Sequence, residues 1–131
     1  MTLKISKNSG LTDIVSTDGT NPITTPHPIT GSSQVVQLWL FNNDATRYYQ
    51  NINIDPTDVV GTDESTWIQL SADGVTYLGG SAPLTMANIG ASGTGDTTGH
   101  TFYAKVTSPS GQTVQNKTDI KLTVNFTEYA V

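Results

Sequence analysis

Val36-Gln37-Leu38-Trp39-Leu40, and near the other end of the chain Ile120-Lys121-Leu122-Thr123-Val124-Asn125-Phe126, decide the fold class. Both runs alternate with a period of two, the repeat of a strand buried on one face only. Over residues 34–41 this reading puts Val36, Leu38 and Leu40 on one face and Val35, Trp39 and Phe41 on the other. Gly, Asn, Asp and Thr separate such runs, and no long amphipathic helix pattern interrupts them. The expectation is a half-buried antiparallel sheet with a polar, threonine-rich outer face.

Working outward, Tyr48 to Ile54 reads as a strand with Tyr48, Ile52 and Ile54 on one face. Trp67-Ile68-Gln69-Leu70-Ser71 is another, and Asp73-Gly74 supplies the positive φ of a tight hairpin turn, with Val75 to Leu78 as the return strand. In Thr101 to Thr107 the residues Phe102, Ala104 and Val106 face inward, and Asp119 to Glu128 closes the domain. Leu3-Lys4-Ile5-Ser6 and Leu11 to Val15 read as short strands, a weak one runs near Val114, and Ala82 to Ile89 fits a strand or a helical turn equally well. About seven or eight strands at these turn spacings describe a β-sandwich. There is no internal repeat.

Composition narrows the function classes. A chain of 131 residues is one domain by prior, able to bury roughly two-thirds of its unfolded surface without staples. With no cysteine, disulfides and thiolate metal sites are both excluded, which favours folding in a reducing compartment. Met1 to Asn8 carry no apolar signal core, and no run approaches the ~18 apolar residues of a membrane helix, so synthesis in the cytoplasm is expected. The net charge is −5, and the six Lys and Arg are scattered, so neither nucleic acid nor an anionic membrane is an expected partner.

Chemistry-bearing clusters are few. Gly93-Thr94-Gly95-Asp96-Thr97-Thr98-Gly99 starts like a dinucleotide loop, but its third glycine is one position late and a strand follows; a hairpin loop is the plainer reading. Asp55, Asp58, Asp63 and Glu64 could offer oxygens to an ion, yet their spacing fits no EF-hand and a solvated loop is simpler. His27 and His100 sit in no catalytic motif, and Asp63 and Glu64 would point apart on a strand. No enzyme activity and no cofactor or metal are expected. Trp67 and Tyr77 flank the Asp73-Gly74 turn and could pair across it, either as packing or as an exposed aromatic platform for sugars. Trp39, Tyr48, Tyr49, Tyr103 and Tyr129 are expected to pack, fully or in part.

Residues 1–33 differ from the rest. Pro22, Pro26 and Pro28, with His27 between the last two, bias this segment towards extended structure and away from a central strand. It reads as an edge strand or surface loop on the sandwich, or as an arm lying on a neighbouring subunit.

Leu38 to Asp44 (LWLFNND), Tyr48 to Ile54 (YYQNINI), Trp67 to Gly74 (WIQLSADG), Phe102 to Val106 (FYAKV) and Asp119 to Leu122 (DIKL) together carry a resemblance. Over about residues 34 to 129 the chain resembles the small Ig-like β-sandwich accessory proteins of tailed bacteriophage particles, capsid decoration (cement) proteins and tail-surface modules. The resemblance implies an all-β, Ig-like antiparallel sandwich over residues 34–131 behind an extended segment, 1–33. It implies a non-enzymatic protein, made in the host cytoplasm and added to the virion in many copies. Such proteins often form homotrimers and contact the major capsid protein or another virion protein. On that reading Pro22, Pro26, His27 and Pro28 belong to the capsid or subunit contact. A tail or baseplate protein, and a carbohydrate-binding module using Trp67 or Tyr77, are the alternatives.

Overall fold

Alternation in residues 34–41 produces the expected two-sided strand. Leu38 and Leu40 are buried, Val36 packs against them, and Val35 on the other face is 54% exposed. The structure is a computed structural model that describes residues 3–15, 21, 23–27, 32–58, 67–91, 99–108 and 115–131. Eight strands run through them: β1 (Leu3–Ser6), β2 (Ile23–His27), β3 (Ser32–Asn42), β4 (Arg47–Asp58), β5 (Ile68–Ser71), β6 (Leu84–Met86), β7 (His100–Ser108) and β8 (Gln115–Ala130). All pairings between them are antiparallel. They form two four-stranded sheets, β1-β3-β7-β5 and β2-β8-β4-β6, and no α-helix occurs among the described residues. The all-β sandwich is thus what the chain adopts.

The core lies between the inner faces. From the first sheet come Leu3 and Ile5, Leu38 and Leu40, Ile68 and Leu70, and the fully buried row Phe102, Ala104 and Val106. The second sheet answers with Ile23, Tyr49, Ile52, Ile54 and Leu84, and Leu122, Val124 and Phe126 pack on them half-buried. No buried side-chain nitrogen or oxygen among the described residues lacks a partner. Asn42 shows how: its Nδ2 donates to the carbonyls of Arg47 (2.8 Å) and Gly90 (3.1 Å) and ties the β3–β4 turn to the segment after β6.

Several expectations need correction. Tyr48 does not share a face with Ile52 and Ile54: the register of β4 on β8 shifts between Gln50 and Asn53, and Asn51 adopts φ 53°. The extra residue of this bulge inverts the parity, so Tyr49 joins Ile52 and Ile54 inside and Tyr48 faces out. The stretch after Gly74 does not return as a strand; Val75 is 82% exposed, and only Leu78 hydrogen-bonds back to the Leu70 carbonyl, at 2.9 Å. Asp55 to Asp58 are not loop but the end of β4, with Pro56 buried opposite Leu122. Pairing with β6 stops at Ile54, so Pro56 occupies a part of β4 where a missing N–H is tolerated. The turn at Asp73-Gly74 does have its positive φ, 77° at Gly74, and the ambiguous segment 82–89 contains β6 and a bridge from Ile89 to Tyr49.

The segment ahead of residue 34 supplies edge strands to both sheets. β1 pairs with β3 from Leu3↔Asn42 to Ser6↔Trp39, and β2 pairs with β8 from Ile23↔Ile120 to His27↔Gln115. Leu3, Ile5 and Ile23 reach the chain's own core, so these residues form edge strands rather than a detached arm. Of Leu11 to Val15, only Ile14 makes a bridge, to Ser6. Residues 6–15 form a tight polar loop instead: Ser6 Oγ meets Asn8 Oδ1 at 2.8 Å, which accepts the N–H groups of Thr12 (2.9 Å) and Asp13 (3.2 Å). Asn21 donates to the Asp13 carboxylate at 2.8 Å and accepts from Lys7 Nζ at 2.8 Å.

Two predictions follow from this packing. Leu3→Ala should cost about 2–5 kcal/mol in urea unfolding, the range for a buried leucine; a loss below ~0.5 kcal/mol, the size of a neutral surface change, would show β1 to be dispensable. Gly99 is closely surrounded, because a Cβ there would stand 2.8 Å from Leu11 Cδ2 and 3.0 Å from Trp39 Cβ. Gly99→Ala should therefore destabilise by about 1–3 kcal/mol, with partial recovery when Leu11 is also cut back to Ala.

Candidate functional site

Alternation leaves each sheet an outer face, and the functional candidates sort between them. On the first sheet the outward residues include Ser33, Val35, Gln37 and Trp39 from β3, Thr101, Tyr103, Lys105 and Thr107 from β7, and Gln69 from β5. The register sets Val35, Lys105 and Gln69 in one row and Ser33 beside Thr107, whose hydroxyls meet at 2.9 Å. Tyr77 lies over this face with Lys105 Nζ 4.2 Å from its ring centroid, a cation–π contact.

The turn before Tyr77 is built by side-chain oxygens. Ser71 Oγ accepts the N–H groups of Asp73 (3.2 Å) and Gly74 (2.9 Å), and Asp73 Oδ1 accepts those of Val75 (2.9 Å) and Thr76 (3.0 Å). Gly74 presses against the Tyr103 ring, which a Cβ would approach to 3.2 Å. Trp67 is half-buried against the core cluster, while Tyr77 is engaged by Lys105. The two residues proposed as an aromatic platform thus have different surroundings, one the core and the other a lysine of β7.

The second sheet presents a different chemistry. Its outward residues are Tyr48, Gln50, Asn53 and Asp55 from β4, Thr123, Asn125, Thr127 and Tyr129 from β8, and Thr85 from β6, with Asn51 raised by the bulge. Tyr48 and Tyr129 are cross-strand partners whose rings stack, 5.0 Å between centroids and 13° between planes. Next come Asn51 Nδ2 and Thr127 Oγ1 at 3.4 Å, then Asn125 Nδ2 donating to Asn53 Oδ1 at 2.9 Å. Arg47 and Glu128, which adjoin Tyr48 and Tyr129 in sequence, pair with one another at 3.0 Å. Sequence reading treated Tyr48 and Tyr129 separately. The signal that could have joined them is Asn51, a residue that tolerates positive φ, placed where a parity break brings Tyr49 into line with Ile52.

Pro26 and His27 stand in β2, at an edge of the second sheet, opposite Asn116 and Gln115. Pro22, Pro28, Asp63, Glu64, Val114 and the glycine loop from Gly93 to Thr98 lie outside the described residues. No group of three or more His, Cys, Asp or Glu able to hold a metal ion occurs among the described residues. An open pocket of about 380 Å³ is lined by Lys7, Ile23, Val36, Gln37, Leu38 and Trp39, beyond the end of β1. Compared with protein-family models, curated proteins and solved structures, the chain matches none.

Acid sensitivity of the Asp73 turn follows from its geometry. Hydrogen bonds from the Val75 and Thr76 N–H groups, with that from Ser71, hold the Asp73 carboxyl below its ordinary 3.8. A carboxyl depressed in the folded state adds stability above its unfolded pKa and loses it as pH falls through the lower folded value. Carboxyl-detected NMR should find Asp73 titrating below 3.8, with the amide shifts of Val75 and Thr76 following the same curve. Titration at or above 3.8 would mean that the turn is open in solution.

Proposed function

We propose that this chain is a non-enzymatic structural module of a tailed-phage particle, an Ig-like sandwich that decorates and stabilises the capsid shell in many copies. The observation that carries the reading is the treatment of the sheet edges. At β1 the chain covers its own edge, with Val15 N–H on the Ile5 carbonyl and Lys7 N–H on that of Asp13, both at 2.8 Å. At β5 it does so again: Leu78 and Ser81 N–H groups meet the Leu70 (2.9 Å) and Ile68 (3.0 Å) carbonyls, and Gln69 Nε2 donates to the Leu78 carbonyl (3.1 Å). In the second sheet β2, five residues long with Pro26 and a register shift, pairs with β8 only as far as Ile120, and β6, of three residues, pairs with β4 from Ile52 to Ile54. The covers at β1 and β5, with Pro26 and the register shift in β2, discourage strand-to-strand polymerisation at those edges. At high local concentration such covers reduce edge-to-edge linking of neighbouring copies.

The outer faces, rich in Thr, Asn and Gln, suit many modest contacts repeated by symmetry. In this reading the contact with the major capsid protein or a neighbouring copy is made around β2, by Pro26 and His27, with Pro22 and Pro28 of the flanking sequence. Removing residues 1–33 is not the way to test it, since Leu3, Ile5 and Ile23 would leave the core.

Particles from cells carrying the coding region provide the test. After density banding, the protein should co-purify in many copies and cross-link to the major capsid protein, and the free protein should sediment as a trimer. Its absence from banded particles overturns the reading. Cross-links to tail proteins alone would move it to the tail or baseplate.

A further inference from the structure

From the second sheet's outer face we infer a binding site for neutral oligosaccharide, centred on Tyr129 and Tyr48 and continued by Thr127, Asn51, Asn125 and Asn53. This inference does not depend on the particle reading. A sugar ring has an apolar face of C–H groups and a rim of hydroxyls, so it is recognised by an aromatic side chain beside amides and hydroxyls. The strip provides both. Tyr129 is 38% exposed and stacks on Tyr48, so that little further ordering of its ring is needed on binding. Beyond Ile120, β8 has no strand on the side away from β4 among the described residues, so the outer side of the Tyr129 ring is not walled by a neighbouring strand.

Charge selects the ligand class. From the tyrosine pair to the Asn53–Asn125 pair no outward residue is ionisable apart from the two phenols, and the adjacent Arg47 and Glu128 satisfy each other. The first carboxylate along the strip is Asp55. A polyanion would find no cation here, whereas a neutral glycan loses nothing by the absence. Geometry supplies the length: Asn125 lies four steps along β8 from Tyr129, roughly 13 Å at strand rise, enough for a short oligosaccharide. The bulge adds direction. Asn51, at φ 53°, is an extra residue that puts an additional amide beside Thr127, and non-glycine residues in this conformation gather at functional sites.

Affinity electrophoresis of the intact chain tests the inference, with laminarin, dextran, soluble starch and galactomannan as neutral probes and alginate as the polyanion. At least one neutral probe should retard the protein, and 0.5 M salt should not abolish the shift. Tyr129→Ala should weaken binding about tenfold and Asn125→Ala severalfold, whereas Tyr77→Ala should leave it nearly unchanged. Urea unfolding of each variant separates lost binding from lost fold, and Asn125→Ala keeps the test sound if Tyr129→Ala proves unstable. Retardation by none of the four neutral probes, by alginate alone, or undiminished in both alanine variants overturns the proposal. Strong quenching of tryptophan fluorescence on binding would also overturn it, by moving the ligand to Trp67 or Trp39.

Discussion

Everything in this molecule depends on the pairing of β3 with β7, which sets Leu38 opposite Phe102 and Val36 opposite Ala104. A slip of one residue would turn Phe102, Ala104 and Val106 to water and bring Tyr103 and Lys105 inside. Burying a leucine or phenylalanine is worth about 1.5–3 kcal/mol, whereas a surface hydrogen bond contributes about 0.5–1.5 kcal/mol net. The inner faces therefore decide the register and the outer faces inherit it. Lys105 lies beneath Tyr77, and Ser33 meets Thr107, because their inward neighbours have already been placed.

Asn51 solves a conflict created by that rule. Tyr49 is fully buried, with its ring edge-on to Phe126 at 5.1 Å and its backbone bridged to Ile89. Ile52 and Ile54 are buried too, so strict alternation from Tyr49 would bury Asn51 and Asn53 and expose both isoleucines. An unsatisfied buried amide costs about 1–3 kcal/mol, more than a left-handed asparagine. One inserted residue removes the conflict. Its by-product is the outward Tyr48, stacked on Tyr129.

How much of this was legible in the sequence follows from the same physics. Runs with unbroken alternation, residues 34–41 and 101–107, were readable down to the face of each side chain, since the period of two leaves no freedom. Tyr48-Tyr49-Gln50-Asn51-Ile52 was not, because two adjacent tyrosines satisfy either parity and the bulge is decided by partners on β8 and at Ile89. The edge covers were equally hidden. Leu78 N–H on the Leu70 carbonyl leaves no apolar signature, so the stretch after Gly74 looked like a second hairpin strand. Residues 3–6 and 23–27 were recognisable as extended, but only the core contacts of Leu3, Ile5 and Ile23 show where they belong.

The covered edges at β1 and β5 contrast with the outer faces. Backbone groups at β1 and β5 are engaged by their own chain, so main-chain capture of an extended peptide there would first have to displace those bonds. Side chains on the outer faces carry no such penalty, and the two faces are chemically different. The first carries the cations Lys4 and Lys105, the second a run of amides and hydroxyls between two tyrosines and Asp55. With the sheets roughly 10 Å apart and back to back, a partner on one face does not obstruct the other.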